Sequence, residues 1–202
     1  MAVVSPSTFT TSLVMRFGVP LSHMSEDEFA EFCQLNRDVR VERSRNGEVA
    51  IMPPTCSETG LRNSSLTAQL WIWNQSSGAG FVFDSSTGFR LPNSAHRSPD
   101  TSWIRLERWS ALSNVERRRF APLTPDFVAE LLSPTDRIDD LRAKMREYIE
   151  CGVRLGWLID PDARRVEVYR PGQQPQELDH PATMSGDPEL PGFVLELNNG
   201  IW

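Results

Sequence analysis

The alternation of apolar and polar residues predicts a helix and a β-hairpin near the start of the patterned part of the chain. Ser25 precedes three acidic residues, and because serine caps free amides and carboxylates favour the positive end of the helix dipole, a helix is predicted to about Asn36. Two alternating segments within residues 39–51 flank Asn46-Gly47, the dipeptide most typical of a tight hairpin turn. Pro53-Pro54 should end the second strand.

The middle of the chain predicts a longer helix followed by short strands. A proline-free stretch over residues 58–74 carries Leu61, Leu66, Leu70, Trp71 and Trp73, which suits a helix lying against a sheet. Gly78 and Gly80 should stop this helix. Turn-forming residues then separate strand candidates at residues 81–84, 88–91 and 101–106.

The second half predicts a buried strand, a helix and an antiparallel pair. Residues 127–132 form a nearly continuous apolar run, the mark of a central strand buried on both faces. Ser133-Pro134, with Asp136 three residues past the serine, predicts a helix entry, and Gly152 should end this helix after about Cys151. Residues 153–159 and 165–169 predict paired antiparallel strands, and the Pro- and Gly-rich tail predicts loops plus an edge strand at 193–197.

Length and composition indicate one ordinary globular domain. The chain has 202 residues, of which 39% are hydrophobic and 24% charged, and turn formers are spread evenly along it. Residues 1–24 are predicted to be an N-terminal extension and residues 25–202 the single domain. Because the first twenty residues contain no long apolar run and no clear cleavage site, the sequence predicts neither a signal peptide nor a membrane span, and a cytoplasmic protein is expected.

The sequence gives little support for a disulfide, metal or catalytic site built from cysteine or histidine. The three cysteines are far apart, which argues against a disulfide framework and against a paired-cysteine zinc site. The three histidines are isolated, so there is no HExxH spacing and no evident Ser-His-Asp set.

The charge distribution is uneven. The net charge of −6 weakens any case for non-specific nucleic-acid binding, which depends on cations that neutralise phosphates. Residues 90–119, however, contain seven arginines against three acids, whereas residues 171–202 contain five acids and no lysine or arginine. The simplest interpretation of Arg117–Arg119 is a solvated helix face.

Glu130 and Lys144 are the most informative charged residues. Strand alternation places Glu130 on the face of Val128 and Leu132, and burying a carboxylate is costly unless it is paired or binds a cation. Lys144 is the only lysine among 21 basic residues, which indicates a role that arginine cannot fill. It borders the apolar stripe of its helix. For Glu130 the alternatives are a buried ion pair with an arginine and a strand-end carboxylate that touches water. For Lys144 the alternative is a lysine that snorkels past the core edge.

Two further acids are weaker candidates. Asp100 follows Ser98-Pro99 at the start of a predicted strand, although Pro-Asp is also a common turn pair. Glu58 lies at the start of the second helix, where an acid commonly serves only the helix dipole.

The ordered series of motifs resembles a known family. The segments are Arg97-Ser98-Pro99-Asp100, residues 125–134, residues 144–148, Gly156-Trp157-Leu158-Ile159-Asp160-Pro161 and residues 166–169. In this order they resemble the bacterial Uma-type family of restriction-endonuclease-like proteins, within the PD-(D/E)xK nuclease superfamily. The similarity covers nearly the whole chain after about residue 25.

The resemblance implies a fold and a site. It implies an α/β (α+β) protein with a restriction-endonuclease-like central mixed β-sheet flanked by helices, preceded by an N-terminal helix and β-hairpin. Asp100 and Glu130 would be acids that bind Mg²⁺ or Mn²⁺, and Lys144 would be the catalytic lysine. The superfamily places its lysine two residues after the second acid, where this chain has Leu132, so the lysine has moved to the next helix. Glu58 corresponds less clearly to a further metal-binding acid.

The expected function is metal-dependent hydrolysis of phosphodiester bonds in nucleic acid, with DNA the expected substrate. Arg90 and Arg97 are candidates for contacts with the nucleic-acid backbone. The alternative is a non-catalytic homodimeric module that keeps the nuclease fold and associates through tryptophans. Its candidate contact residues are Trp71, Trp73, Trp103 and Trp109.

Overall fold

A computed structural model of the chain describes residues 24–52 and 54–202. Within them the helices are α1 (Glu26–Leu35), α2 (Ser57–Ser77), α3 (Leu106–Ser110), α4 (Asn114–Arg117) and α5 (Ile138–Glu150). The strands are β1 (Arg40–Arg43), β2 (Val49–Met52), β3 (Gly80–Asp84), β4 (Phe89–Arg90), β5 (His96–Arg97), β6 (Thr101–Arg105), β7 (Phe127–Leu131), β8 (Leu155–Asp160), β9 (Arg165–Tyr169), β10 (Gln176–Asp179), β11 (Thr183–Ser185) and β12 (Val194–Glu196). The predicted N-terminal extension lies outside the described residues, apart from Met24.

The N-terminal helix and hairpin form for the predicted reasons. Ser25 and Glu28 cap α1 reciprocally, each side chain accepting from the other residue's backbone amide. Strands β1 and β2 pair antiparallel, with Arg43 opposite Val49. The turn between them contains Gly47 at φ 83°, a conformation that glycine adopts without strain.

A six-stranded mixed sheet organises the rest of the fold. Its order is β10-β9-β8-β7-β6-β3, with β7 and β8 parallel and the other neighbours antiparallel. The predicted central mixed sheet is therefore confirmed, and β7 lies in its interior as the continuous apolar run indicated. A second sheet, β2-β1-β5-β4, carries the hairpin.

The two faces of the six-stranded sheet bury separate apolar clusters. Phe127, Ala129 and Leu131 of β7 pack towards α2 and the C-terminal segment. Val128 points to the other face, where α5 contributes Met145 and Tyr148 to the second cluster. Strand alternation thus puts Glu130 on the α5 face, as predicted.

Several predicted details are wrong. Helix α5 begins at Ile138, not at Ser133, because the Asp136 carboxylate accepts from the Ser133 amide (2.9 Å) and closes a separate turn before the helix. In α2, Leu61 and Trp71 are exposed, and the buried face carries Thr59, Leu66, Leu70 and Asn74 instead. The predicted edge strand of the tail is present, by contrast: β12 pairs with β11 in a two-stranded sheet.

Candidate active site

The pairing of two neighbouring strands brings Asp100 and Glu130 together. Thr101 of β6 lies opposite Ala129 of β7, so the antiparallel register sets Asp100 opposite Glu130. Asp100 is fixed there because its Oδ2 atom accepts a hydrogen bond from the backbone amide of Leu131 at 2.9 Å. Both carboxylates are buried.

Helix α5 adds Lys144 to this pair. Its ammonium lies 2.8 Å from Oε1 of Glu130 and 2.9 Å from Oε1 of Glu42. Only 11% of the lysine side chain is exposed, so Lys144 is not a residue that snorkels past the edge of the core. It bridges two buried carboxylates, and one of them is Glu130.

Glu42 is a member of the site that the sequence did not identify. This carboxylate accepts hydrogen bonds from the Ser98 amide (2.9 Å) and from Arg97 (3.1 Å), in addition to its contact with Lys144. It comes from β1, a strand of the other sheet. The alternation of Val39 and Val41 does place Glu42 on the opposite face of the strand, but such a position in a hairpin more often faces water.

Burial and like charge make Glu130 reluctant to ionise. Burial raises the pKa of its carboxyl most strongly, the Lys144 ammonium lowers it, and the carboxylates of Asp100 and Glu42 raise it again, to about 7. The Tyr148 hydroxyl donates to Oε1 of Glu130 at 2.9 Å. The site therefore favours any further positive charge beside Glu130.

Lys144 is held in its charged form. Although burial opposes ionisation, the carboxylates of Glu130 and Glu42 raise the pKa of Lys144 above its usual value. For the Tyr148 hydroxyl, burial raises the pKa, so this group remains a neutral donor. Lys144 can therefore donate hydrogen bonds and stabilise negative charge, but at neutral pH it cannot act as a base.

A cavity of about 830 Å³ opens in front of these groups. Asp100, Glu130 and Lys144 all line it, so the structure brings together the three residues for which the sequence predicted a catalytic role. Polar and basic side chains also line it, among them Arg37 from the turn after α1, Arg40 from β1 and Asn63 from α2.

Glu58, Arg90 and Arg97 are not among the residues that line this cavity. Glu58 points into solvent on the first turn of α2 and pairs with Arg62 at 2.9 Å. Arg97 is largely buried between Glu42 and Glu147, and its Nε–Oε2 distance to Glu147 is 2.6 Å. Arg90 is half-exposed near Glu26.

The arginine-rich stretch is largely paired with acids. Arg105 and Arg108 both contact the buried Asp126, at 3.8 and 2.9 Å. Arg119 pairs with Asp27 at 2.9 Å. These pairs stabilise the fold locally and leave less free charge on this stretch than its composition indicated.

Over residues 24–52 and 54–202, no group of three or more His, Cys, Asp or Glu side chains is arranged to hold a metal ion. No helix in the same residues is long and apolar enough to cross a membrane.

The fold is nuclease-like, with a mixed sheet flanked by helices. Glu130 lies on the inner strand β7, Asp100 directly precedes β6, and Lys144 contacts Glu130. The structure of "a putative nuclease belonging to DUF820 from Anabaena variabilis ATCC 29413" is similar, with a TM-score of 0.70 and 21% sequence identity. The match covers 89% of this chain and 98% of that one. No curated protein matches the chain.

The family follows from the sequence. The model of the Uma2 family, described as "Putative restriction endonuclease", matches residues 26–198. The chain belongs to this family. The resemblance carried by the ordered motifs is thereby confirmed.

Proposed function

We propose that the protein is a metal-dependent endonuclease that hydrolyses phosphodiester bonds, with DNA as its substrate. The observation that carries this proposal is the convergence of Asp100, Glu130 and Lys144 on one cavity. The family description and the nuclease-like fold support it.

The residues present fit a magnesium or manganese ion. Asp100 and Glu130 offer hard oxygen ligands, and Mg²⁺ is commonly held by one or two protein carboxylates, with water and substrate phosphate completing its coordination. The closest contacts of Tyr148 and Lys144 with Glu130 both go to Oε1, which leaves Oε2 for a ligand. Burial and the neighbouring carboxylates raise the pKa of Glu130 despite the contact with Lys144, so a further cation beside it would favour its ionised form.

The residues of the chain have distinct parts in the proposed reaction. A bound Mg²⁺ or Mn²⁺ supplies a Lewis acid that lowers the pKa of water and polarises a phosphate oxygen. The Leu131 amide orients Asp100, and Tyr148 orients Glu130. Lys144, held as a cation, donates to the attacking water or to the charge that develops on the phosphate.

The non-catalytic homodimer remains the alternative, but fewer of the four candidate tryptophans can contact a second copy of the chain. Trp103 is buried, and Trp73 packs against the same apolar cluster, so neither is free to contact a second copy. Trp71 is 53% exposed beside the exposed Ile72 on α2. A homodimer and a cytoplasmic location both stay predictions.

Cleavage assays test the proposed function. The parent protein should cleave plasmid DNA in Mg²⁺ or Mn²⁺ and not in EDTA, and Asp100→Asn should lose at least about a hundredfold of this rate. Glu58→Gln is the matched control, because it removes a carboxylate outside the cavity, and it should retain the parent rate. Single-stranded DNA and RNA are assayed in parallel. No cleavage of any substrate by the parent would favour the non-catalytic module.

A further inference from the structure

Arg40 is a positively charged residue that lines the cavity but has no role in the proposed reaction. It lies on β1, two residues before Glu42, and its side chain is 30% exposed. Its Nη1 atom is 3.3 Å from Oδ1 of Asp100, one of the proposed metal ligands. A guanidinium in contact with a metal-binding carboxylate competes with the metal for the same oxygen.

The contacts of Arg40 are weaker than those of its neighbours. A charge-assisted hydrogen bond is typically about 2.7–2.9 Å long, so 3.3 Å to Asp100 is a loose contact. The other two partners are neutral: the Ser85 carbonyl oxygen and the Met52 sulfur, both at 3.3 Å. Arg97 and Lys144, by contrast, are each clamped between two carboxylates and are more deeply buried.

The position of Arg40 also suits a second anion. Its guanidinium lines the cavity that Asp100 and Glu130 share, and it feels the negative charge of Asp100, Glu130 and Glu42 together. A planar guanidinium binds two oxygens of a phosphodiester with good geometry. Once the charge of Asp100 is compensated by another cation, a phosphate in the cavity becomes the stronger partner of Arg40.

We propose that Arg40 changes partner during the reaction: it pairs with Asp100 in the ion-free protein and binds a phosphodiester oxygen of the nucleic acid when Asp100 holds a divalent cation. Arg40 is thus a substrate-binding residue whose resting position weakens ion binding until substrate is present. This inference rests on the proposed function and adds to it a coupling between ion and substrate.

The chain offers a matched control in Arg37. Its side chain lines the same cavity and carries the same charge, but its Nε donates to the Gln34 carbonyl oxygen (3.1 Å), and it forms no ion pair with an acid in the described part of the chain. Arg37→Gln therefore removes one positive charge from the cavity without releasing Asp100.

The experiment measures two equilibria that need no turnover. Calorimetric titration with MnCl₂ alone should show Arg40→Gln binding Mn²⁺ about fivefold more tightly than the parent, and Arg37→Gln within about twofold of it. Fluorescence anisotropy of a labelled 16-nucleotide DNA duplex in Ca²⁺ should show Arg40→Gln binding about tenfold more weakly. Arg40→Lys keeps a charge beside Asp100 but not the planar head group, so it should bind Mn²⁺ within about twofold of the parent and the duplex more weakly. If the Gln variant does not fold, parental duplex binding by Arg40→Lys would overturn the proposal.

The two proposals can fail separately. The proposed change of partner by Arg40 is overturned if Arg40→Gln binds Mn²⁺ no more tightly than Arg37→Gln. It is also overturned if Arg40→Gln binds the duplex as well as the parent does. Neither result contradicts the proposed metal site. If the parent itself binds no Mn²⁺, both the proposed metal site and the change of partner by Arg40 are contradicted, and no variant needs to be compared.

Discussion

At the scale of single residues, Glu130 bears most of the electrostatic cost of the site. Without a bound cation, burial and the neighbouring carboxylates raise its pKa to about 7, above the usual 4.5 of an unfolded glutamate. Between these values the folded protein keeps a proton that the unfolded chain releases, so this group's contribution to the free energy of unfolding falls as pH rises from about 4.5 to 7.

Glu130→Gln removes this cost, and Lys144 keeps Glu42 as a partner. Relative to the parent, the variant should gain about 1–3 kcal/mol of stability between pH 5 and pH 8. Urea unfolding at several pH values measures the gain. Parallel stability profiles for the two proteins would show that the Glu130 carboxyl is ionised throughout.

Lys144 gives a second residue-scale prediction. Lys144→Ala leaves Glu42 and Glu130 buried without their shared cation and should cost about 3–5 kcal/mol of stability. Lys144→Arg keeps the charge, but its planar, larger head group should fit poorly between the two carboxylates, so cleavage should fall nearly as far as in the alanine variant.

The control for Lys144 lies on the same helix. Arg146 is exposed on α5 and forms no ion pair within the described residues, so Arg146→Ala should change neither stability nor cleavage. An arginine variant of Lys144 that cleaves at the parent rate would reduce the role of Lys144 to that of a positive charge.

Residue patterns predicted part of this site and missed part of it. Glu130 and Lys144 stood out because a carboxylate in an apolar strand and a single lysine among arginines each break the surrounding pattern. Glu42 breaks no pattern, since a charged residue that alternates with valines is ordinary on a half-exposed hairpin. Its burial results from long-range contacts with α5 and Ser98, and local sequence does not encode them.

At the scale of elements, β7 determines the geometry of the site. It pairs with β6 on one side and with β8 on the other, and all five of its residues are buried. Amides of residues 128–131 should therefore exchange with solvent far more slowly than those of the edge strands β3 and β10. Hydrogen exchange followed by NMR or mass spectrometry measures the contrast. Exchange in β7 as fast as in the edge strands would contradict its central place.

The start of α5 and the buried face of α2 could not be predicted from local sequence alone. The spacing of Ser133 and Asp136 is that of a helix cap, yet it closes an isolated turn, and α5 starts five residues after Ser133. In α2, apolar residues occur all round the helix, so their spacing alone could not decide that Leu66 would be buried and Trp71 exposed. Packing against the sheet determines which apolar residues of α2 are buried.

At the scale of the whole molecule, the six-stranded sheet links the two large apolar clusters. Alternate residues of β7 belong to different clusters, with Phe127 and Ala129 in one and Val128 in the other. A cavity made in either cluster should therefore lower a single unfolding transition. Leu66→Ala and Met145→Ala should each cost about 2–5 kcal/mol and leave calorimetric melting two-state. Two separate transitions in either variant would mean that the described chain contains two independent folding units.

We propose that Asp100 and Glu130, which lie buried next to each other, bind a divalent cation beside Lys144. Calorimetric titration of the parent and of Glu130→Gln with Mn²⁺, at pH 8 where Glu130 is ionised, tests it most directly. We expect binding by the parent at one site and no measurable binding by the folded glutamine variant. Binding of equal affinity in both proteins, or none in the parent, would contradict it.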